Sequence, residues 1–325
     1  MKTPRRALLA ISLMQPALAT PGLAQGWQPA RPLRLVVPFA PGGSVDLAAR
    51  LLAEPLAVRL GQSVVVENRT GAGGAIGADA VAKAPPDGLT LLWGSSGVLS
   101  IAAALRGRLP YDPAKDFAPV SLVMRAWHGL LASPRLGAVD LPQVIAMARA
   151  RPGTLNIASG GTGSATHLLA ERLKLAAGVD MVHVPYRGSG AVYPDLATGL
   201  VQLVFESLPV ALAQSRGDGA RLIAVSAPAR TPLAPGVPTL VESGIPGFVT
   251  SAWFGVLTPV ATPGPIRDAL GEAIREVSSV PEFRRRALDA GLEVVASSAA
   301  EFQDLLTAET RDWAEVGART GLKLD

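Results

Sequence analysis

The sequence predicts an α/β fold in two lobes, each a mostly parallel sheet flanked by helices. Three observations carry that prediction. From Arg31 onward, short β-branched runs alternate with segments of helical periodicity, an order that calls for parallel strands covered on both faces. The pattern stops and restarts near Met124. At 325 residues the chain also has room for about two domains of ~150 residues.

Residues 1–24 come first and read as a leader rather than as fold. Lys2, Arg5 and Arg6 precede an apolar run from Ala7 to Met14, and small residues at Gly22 and Ala24 suit cleavage before Gln25, with Ala19 a second position. The run is too short to span ~30 Å of hydrocarbon, which takes ~20 apolar residues. The chain is therefore expected in the periplasm, exported and cleaved near Ala24, with both general and twin-arginine export open to it. Setting the leader's basic residues aside lowers the net charge from +4 to about +1, so no nucleic-acid partner is expected. A hydrophobic share of 49% excludes intrinsic disorder, and the lack of cysteine excludes disulfides, thiolate metal sites and cysteine nucleophiles.

The mature chain is expected to open with a buried strand at Leu33–Phe39, an amphipathic helix at Val45–Leu60 and a strand at Ser63–Glu67. A helix at Ile76–Lys83 is stopped by Pro85-Pro86-Asp87-Gly88, and a third strand follows at Leu89–Trp93. After the restart come helices at Leu136–Ala150, Ser164–Ala177, Ala191–Thr198 and Pro209–Gln214. Strands at Asn156–Ser159, Val182–Val184, Val201–Phe205 and Leu222–Ser226 alternate with them. The tail holds a strand at Trp253–Thr258 and helices at Pro265–Val277, Pro281–Ala290 and Ala299–Ala318, expected to pack back on the first half. Residues 28–123 with 251–325 would form one lobe and residues 124–250 the other, joined by two crossing strands near Val120–Arg125 and Val249–Phe254.

In open α/β sheets, ligands sit beyond the carboxyl ends of strands, where helix N-termini present backbone N–H groups. Two glycine-rich turns occupy that position, one per lobe. The first runs Pro38-Phe39-Ala40-Pro41-Gly42-Gly43-Ser44-Val45-Asp46, with Ser44 able to cap and Asp46 suited to the first helical turn. The second is Ser159-Gly160-Gly161-Thr162-Gly163-Ser164. Together they resemble two facing anion cups. A third cluster, Gly71-Ala72-Gly73-Gly74-Ala75-Ile76-Gly77, misses the dinucleotide spacing because Ile76 stands where a glycine is needed.

Catalytic constellations are thin. His128, His167 and His183 lack zinc-site spacing, and no serine sits in a G-x-S-x-G elbow. His167 lies one turn into the helix after the second cup, within reach of a ligand but better suited to bonding a neighbouring carbonyl. Trp253 and Trp313 read as core anchors. No enzyme activity, cofactor or metal is expected.

The chain resembles the tripartite tricarboxylate transporter substrate-binding receptors, the Bug family of periplasmic proteins. An ordered set of motifs carries the likeness: Arg31-Pro32-Leu33-Arg34 leading into Val36–Gly43, Val66-Glu67-Asn68-Arg69 before Gly71–Gly74, Pro86-Asp87-Gly88 and Tyr111-Asp112-Pro113 with Asp116-Phe117. Ser159–Ser164 with His167-Leu168, Val184-Pro185-Tyr186-Arg187-Gly188, Trp253-Phe254-Gly255 and Trp313 follow in the same order. The resemblance implies a periplasmic-binding-protein fold of the second type, acting as a monomer and closing on a small carboxylate. That ligand would be a di- or tricarboxylate, an acidic amino acid or an aromatic acid, delivered to a membrane permease of the tripartite type. A receptor presenting the same ligand to a membrane sensor needs the same lobes, so both outputs stay open.

By position, the resemblance places Phe39, Ala40, Gly42, Gly43, Ser44 and Asp46 in the first half-site and Ser159, Gly161, Thr162, Gly163, Ser164 and His167 in the second. Ser95 and Ser96 would wall the distal part of the ligand, with Tyr186, Arg187 and Glu206 beside it. Two of these depart from the family's habit. Arg187 stands where lysine is common, offering a rigid fork in place of a point charge. Glu206 stands where aspartate is usual, adding a methylene that reshapes the pocket.

Overall fold

The computed structural model describes residues 27–324, so the expected leader and its cleavage site lie outside the described residues. The first half runs β1 (Leu33–Val37), α1 (Ser44–Leu60), β2 (Val64–Asn68), α2 (Ala75–Ala82), β3 (Thr90–Ser95) and α3 (Ser100–Leu105). A long strand, β4 (Phe117–Ala132), leads out of it. The second half continues with α4 (Leu141–Ala150), β5 (Asn156–Ser159), α5 (Ala165–Ala177), β6 (Val182–Pro185), α6 (Tyr193–Thr198), β7 (Leu203–Ser207), α7 (Leu208–Gln214) and β8 (Arg221–Val225). The return passes through β9 (Ser251–Pro259), α8 (Gly264–Ser279), α9 (Pro281–Asp289), β10 (Glu293–Val294) and α10 (Ala299–Thr320).

β1 pairs parallel with β2 and β3, and β5 pairs parallel with β6 and β7, because α1, α2, α5 and their neighbours supply the crossovers that parallel strands require. Between these sets the pairing is antiparallel. β4 pairs with β9 over Phe117–Trp127, then with β7 over His128–Ala132 and with β8 over Gly129–Ala132. The sheets are thus less uniformly parallel than expected, since β4 and β9 reverse direction with no helix to turn them. The pairing is also continuous, in the order β2-β1-β3-β9-β4-β7-β5-β6, so β4 is a shared strand as well as a crossing one. The second crossing is extended too, with β9 starting at Ser251 opposite Trp127.

Each half keeps its own core. Leu33, Leu35, Leu52, Phe254 and Ile274 centre one, and Leu130, Leu141, Ile157, Leu173 and Phe205 centre the other. The second core also takes in Ile101 and Leu105 of α3 and Trp313 and Val316 of α10. The tail therefore packs on both halves, where the sequence placed it on the first alone. The cause is the far end of α10: Trp313 and Val316 continue its apolar face beyond the turn that covers Trp253, and α5 is what meets them.

Candidate functional site

Both glycine turns sit at carboxyl ends of parallel strands, the first after β1 and the second after β5. Ser95 ends β3 beside β1, Tyr186 and Arg187 follow β6, and Glu206 is the penultimate residue of β7. Every position expected in the site lies on that edge of the sheet. Hydrogen bonds tie each glycine turn to its own neighbours, and among the described residues none links one turn to the other.

The first loop is held from below by a charged network. The Asp46 carboxylate is buried and accepts from the Gly42 N–H at 2.9 Å, from Arg50 Nε at 2.9 Å and from Asn68 Nδ2 at 2.9 Å. The same Asn68 amide donates to the Phe39 carbonyl at 3.0 Å, and Trp93 Nε1 donates to the Val45 carbonyl at 2.9 Å. Above all the Arg50 bond, and then those from Gly42 and Asn68, hold the Asp46 carboxyl down at about 2 against the cost of burial. Asp46 thus spends its acceptors on its own loop and presents no free oxygen to a ligand, because its place in the first turn of α1 points it back under Gly42.

Gly43, not Ser44, is the N-cap of α1, and with no side chain it makes no capping bond. The N–H groups of Gly43, Ser44, Val45 and Asp46 consequently find no acceptor among the described residues; the first backbone bond of the helix is Leu47 N–H to the Gly43 carbonyl at 2.9 Å. Ala40, Gly42, Gly43 and Ser44 are exposed. Of the two glycines only Gly42 has a positive φ, +85°, while Gly43 is extended at −81°. Free N–H groups at a helix N-terminus, on a loop pinned from below, carry the positive end of the helix dipole.

The second loop is built differently. Ser164 caps α5 through its hydroxyl, which accepts from the His167 N–H at 3.2 Å. Four loop N–H groups are already engaged: Gly160 with Thr166 Oγ1 at 2.9 Å, Gly161 with Ser159 Oγ at 3.1 Å, Gly163 with His167 Nδ1 at 3.0 Å and Ser164 with the Gly161 carbonyl at 3.1 Å. Those of Thr162, Ala165 and Thr166 have no acceptor among the described residues. His167 accepts a backbone N–H where the sequence pointed to a carbonyl, so its proton sits on Nε2, facing Glu171 Oε1 at 3.7 Å. Positive φ at Gly161 (131°) and Gly163 (77°) gives this turn its shape.

Around it, the Tyr186 N–H donates to the Ser159 carbonyl at 3.0 Å and fastens the β6 loop to the second turn. Burial first, then the bond to Asp195 Oδ2 at 2.6 Å, pushes the Tyr186 hydroxyl up to about 12. Glu206 accepts from Tyr193 OH at 3.0 Å and from the Ser207 N–H at 2.8 Å, while Arg187 is exposed and forms no ion pair among the described residues. Ser95 is buried and its carbonyl starts the turn into α3, with Ser96 half-buried beside it. Asn68, Thr166, His183, Tyr193 and Asp195 shape these loops and were not singled out as site residues; Asn68 stands inside a motif that the sequence shows, and His183 directly precedes one.

The model of the tripartite tricarboxylate transporter family receptors matches residues 48–322. The chain belongs to this family. The first loop precedes the matched span, but the receptor is also similar to protein BugT of Bordetella pertussis, 38% identical over 319 residues and 98% of either chain. Among solved structures it is similar to an R. palustris protein with adipate, at 34% identity and a TM-score of 0.75 over 91% of this receptor and 99% of that chain. It is likewise similar to MatC of Rhodopseudomonas palustris with bound malate, at 34% identity and a TM-score of 0.71 over 89% of this receptor and 99% of that chain. The fold of this receptor is the two-lobed α/β fold of periplasmic binding proteins.

Proposed function

We propose that this receptor captures a small carboxylate between its lobes in the periplasm and delivers it, unchanged, to a membrane permease of the tripartite tricarboxylate type. The observation that carries this reading is the row of unengaged N–H groups from Gly43 to Asp46, held in place by the Asp46–Asn68–Arg50 network. Malate in MatC and adipate in the R. palustris protein support a carboxylate of that size. Phe39, Ala40, Gly42, Gly43 and Ser44 take one end of the ligand. Thr162 and Ser164 with Ser95 and Ser96 meet the rest, and Tyr186, Arg187 and Glu206 trim the choice of acid. The lobes divide at 123/124 and 250/251, and the receptor works as a monomer after cleavage before Gln25. Intact mass of the periplasmic protein tests the cleavage.

Calorimetry with malate and with its diamide tests the ligand class. Helix N-terminal N–H groups favour negative charge, and an amide NH₂ would face those donors with another donor. Malate is expected to bind and the diamide not. Equal affinity for both, or turnover of malate by the purified protein, overturns the reading.

A further inference from the structure

We infer that His167 and His183 are positioning residues of the second loop: a neutral, stacked imidazole pair that fixes the Gly163 and Gly161 N–H groups and contacts the ligand with neither ring. The rings lie 3.7 Å apart between centroids and 14° from parallel, one from the first turn of α5 and one from β6. His167 Nδ1 accepts the Gly163 N–H at 3.0 Å. His183 Nε2 lies 2.6 Å from Ser159 Oγ, which accepts the Gly161 N–H at 3.1 Å. Each imidazole therefore sets one of the two positive-φ glycines of the turn, His167 directly and His183 through a hydroxyl.

Only a neutral His167 can do this. Protonated, Nδ1 would turn an N–H toward the Gly163 N–H, donor against donor, and the turn would lose that anchor. The charged groups facing the pair are both on α5: Glu171, whose Oε1 is 3.7 Å from His167 Nε2, and Lys174, bound to Glu171 at 2.9 Å. β5 brings the Ser159 hydroxyl and β6 brings His183 itself. Burial, the leading cause for both rings, lowers their pKa values, that of His183 to about 4 from 6.5. Glu171 pulls the other way, and two cations at this stacking distance would repel. Both groups are thus depressed, so the unfolded chain binds more protons than the folded one below 6.5, and the anchor weakens as pH falls through the lowered value of His167.

The effect on the loop is independent of the ligand; the effect on affinity rests on the receptor reading above. Amide and imidazole NMR of the ligand-free protein from pH 7.5 to 4 tests the first. The Gly163 amide signal is expected to move with the same midpoint as the His167 ring, and to stay still in His167→Asn, which keeps an acceptor and does not titrate. Malate binding tests the second, with wild type divided by His167→Asn at each pH so that the titration of malate cancels. The ratio is expected to fall about fivefold between pH 7.5 and a pH below the midpoint that the His167 ring itself shows, the effect of one neutral hydrogen bond. His167→Leu, lacking the acceptor, is expected to bind about fivefold more weakly at pH 7.5. A Gly163 amide indifferent to the His167 titration overturns the inference, as does a ratio that stays constant with pH. If malate fails to bind any of the proteins while the amide follows the ring, the loop assignment stands and the ligand class is what was wrong.

Discussion

Replacing Asp46 by alanine should cost the receptor about 2–4 kcal/mol of folding stability at pH 7, and the figure can be worked from two sides. The carboxyl is held at about 2 against an ordinary 3.8. At ~1.4 kcal/mol per unit this bounds the stabilisation near ~2.5 kcal/mol. Arg50, its strongest partner, keeps half of its side chain in water, and screening there reduces the contribution to about 1–2 kcal/mol. Alanine also strands the Asn68 amide beneath the loop and frees the exposed Gly42 N–H, at about 1–2 kcal/mol for the two together. Urea unfolding followed by tryptophan fluorescence reads the sum. The sign with pH follows from the lowered pKa: the stabilisation is complete above 3.8 and fades as pH falls through about 2, so the gap between wild type and variant should narrow over that interval. Equal urea midpoints at pH 7 would refute the claim that this network holds the loop.

Gly42→Ala is expected to lose about 1 kcal/mol, because φ is +85° with nothing within 4 Å of the added Cβ, so backbone strain alone acts. Gly43→Ala, at −81° and 3.9 Å from the Ala40 carbonyl, is expected to leave the urea midpoint unchanged. Gly163→Val combines φ of +77° with a Cβ 2.7 Å from the movable Leu324 methyl, so the backbone carries most of the loss, ~2 kcal/mol or more, and calorimetry should show malate binding much weakened. Glu309→Gln keeps an acceptor for Trp253 Nε1 while removing a charge that burial disfavours, so the thermal midpoint at pH 7 should hold or rise; a clear fall would mean that the charge is needed.

Most elements were legible because their signals are local. Leu33–Val37, Val64–Asn68 and Asn156–Ser159 are short β-branched or apolar runs, and α1, α5 and α10 show apolar spacing with glycine or serine at an end. α3 escaped because Ser100–Leu105 is six residues of small and apolar side chains, too few to show a period. β4 was seen only in part. It is buried on both faces along nearly all of its 16 residues, so no alternation marks it, and Pro119 interrupts the run. At the site, the glycine turns announced themselves while the groups that hold them did not. Asn68 reaches Asp46 across 22 positions and His183 reaches Ser159 across 24, and such partnerships exist only once the sheet has formed. Ser44 and Ser164 look alike as caps in sequence. Only Ser164 acts as one, since α1 begins one residue earlier relative to its serine and leaves Gly43 at the cap.

That difference gives the two half-sites unequal tasks. With glycine at its cap, α1 leaves its first N–H groups unengaged, and the Asp46 network fixes them in place before any ligand arrives. With serine at its cap, α5 has spent the His167 N–H on Ser164, and the loop before it has spent four more donors on its own side chains and carbonyl. An incoming carboxylate meets little reorganisation at the first loop, so binding there should be dominated by charge. At the second loop it can use the Thr162, Ala165 and Thr166 N–H groups, or displace an internal bond at a cost near that of the bond it replaces. On the proposed site, affinity should therefore be set by the first loop, and discrimination among acids by how well their far end suits the second. Exchanging the caps puts this to a test. Gly43→Ser would give α1 a capping hydroxyl competing for the N–H groups of Val45 and Asp46, and should weaken malate and adipate by the same factor. Ser164→Gly would free the His167 N–H and should change the ratio between the two acids instead. If Gly43→Ser alters that ratio while Ser164→Gly leaves it fixed, the division of labour argued from the two caps is wrong.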